Sequence, residues 1–172
     1  MKLKPKPINQ EVTILPHKTI LCKTDTSQII EYANEYFIQL CEYTEGEIIG
    51  ESIALLYHPQ MPRTILNLAY KYVLNKKKVY SIARFISKSG KFFWLQIRFD
   101  FKVNQETREI QNIYLYGNAA SRQSITTLTK IYDKLDKIEK ESNIEIAQKY
   151  FKNYLESKNL SYDSFFNQFL TL

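Results

Sequence analysis

The feature that most constrains this chain is the run from Phe93 to Phe101. Phe93, Leu95, Ile97, Phe99 and Phe101 alternate without a break with Trp94, Gln96, Arg98 and Asp100. A period of two is the signature of a β-strand, in which successive side chains point to opposite faces of a sheet. The apolar set is expected to line the inside and the other set the outside, which leaves Trp94 on the outer face. A tryptophan among polar residues there marks either a docking surface for another protein or a place that a helix of the same chain covers.

The rest of the first 120 residues fits around this strand. Ser87-Lys88-Ser89-Gly90 reads as a hairpin turn, with glycine where positive φ is expected, joining strands over 79–87 and 91–103; a further strand covers 109–117. Upstream, the runs 19–24 and 28–32 are rich in β-formers and are separated by Asp25-Thr26-Ser27, whose side chains favour a turn. Asn34 is placed to cap a helix over 35–43, where Tyr36, Phe37, Leu40 and Cys41 share one face. Ser52 to Leu56 is too short for an independent helix, and His58-Pro59 ends it in a kinked loop, because the residue before proline is pushed out of the helical region. From Pro62 to Asn75 the apolar positions Ile65, Leu66, Ala69, Tyr72 and Val73 restore helical spacing. The expected fold class is α+β, a five-stranded antiparallel sheet with helices on one face. Residues 1–17, with Pro5, Pro7 and Pro16, form an extended or mobile leader.

After the strands the pattern turns helical, so the chain divides into the leader, a domain over 18–120 and a helical module over 121–172. Ile125, Leu128, Tyr132 and Leu135 make a narrow apolar stripe on a charged helix, suited to a partner protein or a homodimer. A second helix follows Ser142-Asn143 with Ala147, Tyr150, Phe151, Tyr154 and Leu155 on one face. Leu160, Phe165, Phe166, Phe169 and Leu170 form a third apolar set. Helices this apolar on one side must cover something, either the sheet or another protein, because packing supplies most helical stability.

Several function classes are excluded or disfavoured. The two cysteines are not in a CxxC arrangement, so neither a disulfide framework nor a metal knuckle is indicated. No run reaches the roughly 18 apolar residues needed to span a bilayer. The formal charge of +6 is concentrated in the leader lysines and in Lys76-Lys77-Lys78, with no nucleic-acid motif beside them, so these read as solvated side chains. A glycine-rich phosphate loop, an HExxH and a nucleophile next to a histidine are all missing, and four glycines leave little room for one; no enzyme is expected.

The order of strand, Tyr32-Ala33-Asn34, helix, Tyr43-Thr44-Glu45-Gly46-Glu47-Ile48-Ile49-Gly50 and then His58-Pro59-Gln60-Met61-Pro62 resembles a PAS sensor domain, and most of all the flavin-binding PAS domain of Aer-type energy-taxis receptors. In the tail, the stretches from Tyr132 to Glu139 and from Leu160 to Phe165 resemble the soluble PAS subunits of bipartite energy-taxis systems. The resemblance implies a PAS fold and a cytoplasmic protein that binds FAD, reports redox or respiratory state and passes it to a membrane-bound chemotaxis-type signalling protein. It implies flavin contacts from Asn34 and His58. Tyr57 and Gln60 stand where the Aer pattern has an arginine and an aspartate, and Tyr80 where it has a tryptophan; Phe93, Leu95 and Ile97 would line the pocket. Asn34 as a plain helix cap and His58 as a loop-ordering hydrogen bonder are the structural alternatives. Haem held by His58, or a PAS domain with no cofactor that serves only to dock, are the alternatives to FAD. Trp94, Leu128, Tyr132 and Leu135 are the candidate partner contacts.

Overall fold

The computed structural model describes residues 2–170. Five strands form one antiparallel sheet in the order β2-β1-β5-β4-β3, with β1 Ile20–Thr24, β2 Ile30–Ala33, β3 Val79–Ile86, β4 Phe92–Val103 and β5 Ile110–Ala119. The first hairpin and the three-stranded meander expected from the sequence join because β1 pairs with β5, Cys22 lying opposite Leu115. The order cannot be read from the local pattern, since β1 and β5 are some ninety residues apart.

Between β2 and β3 the chain makes α1 Glu35–Cys41, α2 Glu45–Ile48, one 3-10 turn over Ile53–Leu56 and α3 Arg63–Leu74. The Asn34 side chain accepts from the Phe37 N–H, as expected of a cap, and Glu42 closes α1 at φ 59°. From there the Glu42 carboxylate reaches the β3–β4 turn, accepting from Ser87 Oγ at 2.7 Å and Lys91 Nζ at 2.8 Å. The helix is thereby tied to the hairpin.

The core is continuous and aromatic on the inner face of the sheet. Phe85 packs edge-on against Phe37 at 5.7 Å and stacks on Phe93 at 5.5 Å, and Tyr70 of α3 meets Phe99 at 5.4 Å. The alternation read in β4 holds, with Phe93, Leu95, Ile97 and Phe99 all buried on this side.

The leader is extended, as its prolines suggest, but it is docked. Ile8 N–H donates to the Gly90 carbonyl at 2.8 Å and Val12 N–H to the Phe92 carbonyl at 2.8 Å, while Glu11 forms a two-point ion pair with Arg122. Unpaired backbone groups at the mouth of the β3–β4 hairpin supply the partners that the sequence pattern does not announce.

The tail consists of α4 Arg122–Glu141, α5 Ile144–Ser157 and α6 Tyr162–Asn167. It folds back on the sheet: the ring of Tyr132 stacks on Trp94 at 6.0 Å, and α6 lies against β3. Trp94 is therefore covered, at 7% exposure, and Leu128, Tyr132 and Leu135 are buried in the chain's own core. These four residues were the candidate partner contacts, with cover of the sheet by the chain's own tail as the alternative reading of Trp94 and of the apolar helices. Their apolar stripe instead seals the outer face of the sheet, since an unbroken amphipathic helix next to an exposed tryptophan loses most solvent contact by packing within the chain.

β3 is the strand that gains most from this arrangement. As the edge of the sheet it carries a row of unpaired backbone groups. His58 N–H donates to the Arg84 carbonyl at 2.9 Å, the Arg84 N–H faces Met61 Sδ at 3.4 Å, and the Tyr132 hydroxyl donates to the Ile82 carbonyl at 2.5 Å. The kinked loop closes one half of the edge and the tail the other. A second bond between tail and domain lies at α3, whose N-cap residue, Pro62, has no side chain able to cap: Glu139 of α4 accepts from Arg63 N–H at 3.1 Å, from Thr64 N–H at 2.7 Å and from Thr64 Oγ1 at 2.8 Å. Among the described residues no helix is long and apolar enough to cross a membrane.

Candidate functional site

The inner face of the sheet and α1 enclose the place where a ligand would sit, a cavity lined by Ile20, Cys22, Phe37, Phe85, Leu95, Ile97, Leu115 and Gly117. Of the eight residues expected to hold a cofactor, Leu95 and Ile97 line it, and Phe93 is buried beside it against Phe85. Its volume is about 10 Å³. That is enough for about one water molecule, against the roughly 300 Å³ or more of small-molecule sites.

Tyr57 is brought to the same core and buried there, outside the cavity wall. Its ring lies 5.1 Å from Phe85, and its hydroxyl is 3.3 Å from that of Tyr70. Burial, and then the neighbouring Tyr70, push the Tyr57 hydroxyl well above the ordinary tyrosine range, so it stays a neutral hydrogen-bonding group.

The remaining predicted residues go elsewhere. Asn34 is committed to the backbone: its Oδ1 accepts from Phe37 N–H and from Leu21 N–H at 3.1 Å, and its Nδ2 donates to the Thr19 carbonyl at 2.9 Å. Both acceptor positions of the amide are filled, which leaves the capping role. His58 is almost fully buried, its Nδ1 accepting from Gln60 N–H at 3.1 Å and its ring edge-on to Phe92 at 6.1 Å. Burial, then Arg84, Lys4 and Lys140, lower its pKa to about 4, so it is neutral and orders the loop. It is not among the residues lining the inner cavity. Gln60 is exposed and accepts from Arg84 Nη1 at 3.3 Å. Tyr80 lies on the outer face, in a surface hollow with Thr19, Gln96, Arg98, Tyr116 and Asn118. Strand parity decides this: Val79, Ser81, Ala83 and Phe85 point inward, so Tyr80 cannot reach the cavity that an early-strand aromatic was expected to flank.

The fit of FAD can be judged on these contacts. The inner cavity is filled by aromatic rings, the amide of Asn34 has no free acceptor, and neither Tyr57 nor Gln60 offers a charge to a diphosphate. The residues present do not fit a flavin in this packing. Haem fits no better, since a cavity of about 10 Å³ has no room for a porphyrin and His58, the domain's only histidine, is not in its wall. Among the described residues no group of three or more His, Cys, Asp or Glu is arranged to hold a metal ion. Burial raises the pKa of Cys22 to about 12 and that of Cys41 well above the thiol range, so both are inert apolar side chains.

Four residues that shape the site were not singled out from the sequence. Tyr70 is four residues after Leu66 on the buried face of α3, a spacing that signals it. Arg84 shares the outer-face parity of Trp94 and lies over the Phe92 ring at 4.1 Å. Tyr162, whose hydroxyl donates to the Ile65 carbonyl at 3.1 Å and lies 3.0 Å from Ser81 Oγ, from which it can accept, follows the helix-starting Ser161. Glu139 has no local signal, because the amides it caps lie 75 and 76 residues away.

Comparison with known proteins agrees with this architecture. A region of 97 residues is 27% identical to the aerotaxis receptor of Escherichia coli strain K12; the match covers 56% of this chain and 19% of the receptor, so the chain spans about a fifth of the length of that relative. A light-oxygen-voltage domain from a study of its mechanism with a flavin analogue superposes with a TM-score of 0.58 at 18% identity, covering 66% of this chain and 85% of that one. The PAS-B domain of Drosophila melanogaster Cycle with bound ethylene glycol gives a TM-score of 0.53 at 20% identity, covering 58% of this chain and 97% of that one. At these identities the two structures bear on the fold alone. Residues 17–116 match the family model described as the PAS domain, and the chain belongs to the PAS domain family.

Proposed function

We propose that this chain is a cytoplasmic PAS signal-relay module of the energy-taxis type, which works by docking to a membrane-bound chemotaxis-type signalling protein and catalyses no reaction. The energy-taxis assignment is supported by the 27% identity to the aerotaxis receptor over the sensor region. The observation that carries the relay reading over a flavin sensor is the size of the inner cavity, about 10 Å³, beside a core in which the Tyr57 and Tyr70 hydroxyls pair at 3.3 Å. A cofactor-driven sensor needs room for the ring system that changes charge, and here aromatic side chains occupy that room. The module then carries information in how its tail and its surfaces are engaged.

The test is an absorption spectrum of the gently purified chain, followed by titration with FAD. The expected result is no visible band and no uptake of FAD at tens of micromolar, the range where a weak site would fill. A two-band flavin spectrum, or stoichiometric uptake, overturns the relay reading and restores a redox sensor in which the Tyr57–Tyr70 contact opens. A single intense Soret band overturns it in favour of haem.

A further inference from the structure

A large open concavity lies on the far side of α3 from the sheet. It runs between α3, α5 and the start of α6, with a volume of about 520 Å³, and continues along α3 towards Lys77 as a second hollow of about 430 Å³ that shares Leu68, Lys71 and Tyr72. Its floor is apolar, made by Leu68, Tyr72, Leu155 and Leu160. The rim is basic: Lys71, Lys149 and Lys152 surround the first hollow and Lys77 the second, against Glu145 and Glu156. Glu156 is paired with Lys152 at 3.9 Å. Among the described residues Lys71 and Lys149 make no ion pair, and Lys77 only lies over the Tyr72 ring at 5.9 Å. The lysine run that stands out in the sequence thus has one member on this rim, while Lys78 pairs with Asp100 at 3.1 Å.

The geometry points to this groove as the docking site for an acidic amphipathic helix of the signalling partner. The inference rests on the relay reading above for the partner's role and adds its chemistry. Three physical points select the occupant. The groove is open along its length, so it would leave much of a small molecule in water, whereas a helix needs only one face covered. Its walls are helices with their backbone groups bonded internally, so an added β-strand would find no edge to pair with. From Leu68 to the end of α3 at Leu74 the helix rises roughly 9 Å and the hollow continues past it to Lys77, enough for about two turns of a docked helix. Unpaired lysines beside an apolar floor then select a helix whose apolar stripe is flanked by Glu or Asp and reject one flanked by Lys.

The experiment uses the full chain and two synthetic peptides of about 18 residues that share one leucine stripe, flanked by Glu in the first and by Lys in the second. Binding is followed by fluorescence anisotropy, and the contact surface by amide chemical shifts. The Glu peptide should bind at least about tenfold more tightly than the Lys peptide. It should shift Leu68, Tyr72 and Leu155, and lose affinity several-fold between about 50 and about 300 mM NaCl. Lys71→Glu combined with Lys149→Glu, both at exposed positions, should reverse the preference. Equal affinity for the two peptides, binding by neither, or a preference that survives the double charge reversal overturns the assignment. So does a concentration-dependent dimer that the double variant abolishes, which would make a second copy the occupant. Failure here with a colourless protein leaves the relay reading standing, whereas flavin uptake with intact peptide selectivity removes that reading and leaves the groove.

Discussion

Replacing Tyr132 with phenylalanine isolates one hydrogen bond on which the union of tail and sheet depends. Arg84 directs both backbone groups away from β4, its carbonyl to His58 N–H and its N–H to Met61. The two-residue period of the strand therefore turns the Ile82 carbonyl towards the same edge, where the Tyr132 hydroxyl donates to it at 2.5 Å. Ile82 is 1% exposed, so water cannot substitute for the lost donor. An orphaned buried acceptor costs about 1–3 kcal/mol. At about 2–4 °C per kcal/mol for a chain of this size, the melting temperature should fall by roughly 2–12 °C. Tyr132→Ala removes the ring as well and should cost about 3–5 kcal/mol. The assay is thermal unfolding followed by circular dichroism, with Trp94 fluorescence read in parallel. Trp94 is the single tryptophan, and Tyr132 stacks on it, so its emission reports the tail directly. The phenylalanine variant should keep the wild-type emission and the alanine variant shift to longer wavelength. A phenylalanine variant within about 0.3 kcal/mol of wild type, or an alanine variant with unchanged emission, would refute the reasoning.

Glu139→Ala should destabilise the protein by about 1–2 kcal/mol through loss of the side chain that caps the N-terminal amides of α3, with Glu139→Gln recovering part of it, as measured by urea unfolding. Gly90→Ala should cost about 1–3 kcal/mol, because Gly90 has φ +92° and an added Cβ would overlap the Lys6 carbonyl oxygen; faster amide exchange at Ile8 and Val12 would show the leader detaching. His58 supplies a pH dependence. Its pKa is held at about 4 when folded against an ordinary 6.5, so the unfolded chain takes up the proton first as the pH falls. The stability it contributes is whole above about pH 6.5 and drains away as the pH falls through about 4; His58→Gln should flatten that slope in a series of melting curves, and an unchanged slope would mean another group is responsible.

Several elements were legible because their signals are local. The alternation from Phe93 to Phe101 identified β4 and its faces, Asn34 and the helical spacing after it identified α1, and the Ser87–Gly90 turn placed the β3–β4 hairpin. The motifs around Tyr32-Ala33-Asn34 and His58-Pro59 pointed to the right family. What they did not reveal is the state of the pocket, because cavity volume depends on how Phe37, Tyr57, Phe85 and Phe93, from four separate segments, fill one space. Tyr80, which stands where the resemblance has a tryptophan, lies away from the pocket for a related reason: aromatic character is visible in a sequence, whereas parity needs the register of its neighbours.

The tail marks the boundary between the two kinds of information. Periodicity determined that residues 121–172 would be amphipathic helices with something to cover, and strand alternation determined that Trp94 would lie on the outer face. Neither could choose between another protein and the chain itself, since an apolar stripe has the same composition whatever it packs against. Only the tertiary structure decided, by bringing Tyr132 to the Ile82 carbonyl and Glu139 to the first amides of α3, fifty and seventy-five residues away in sequence. Those contacts satisfy backbone groups that would otherwise be buried without partners, and a free-energy gain of that kind exists only once both segments are in place.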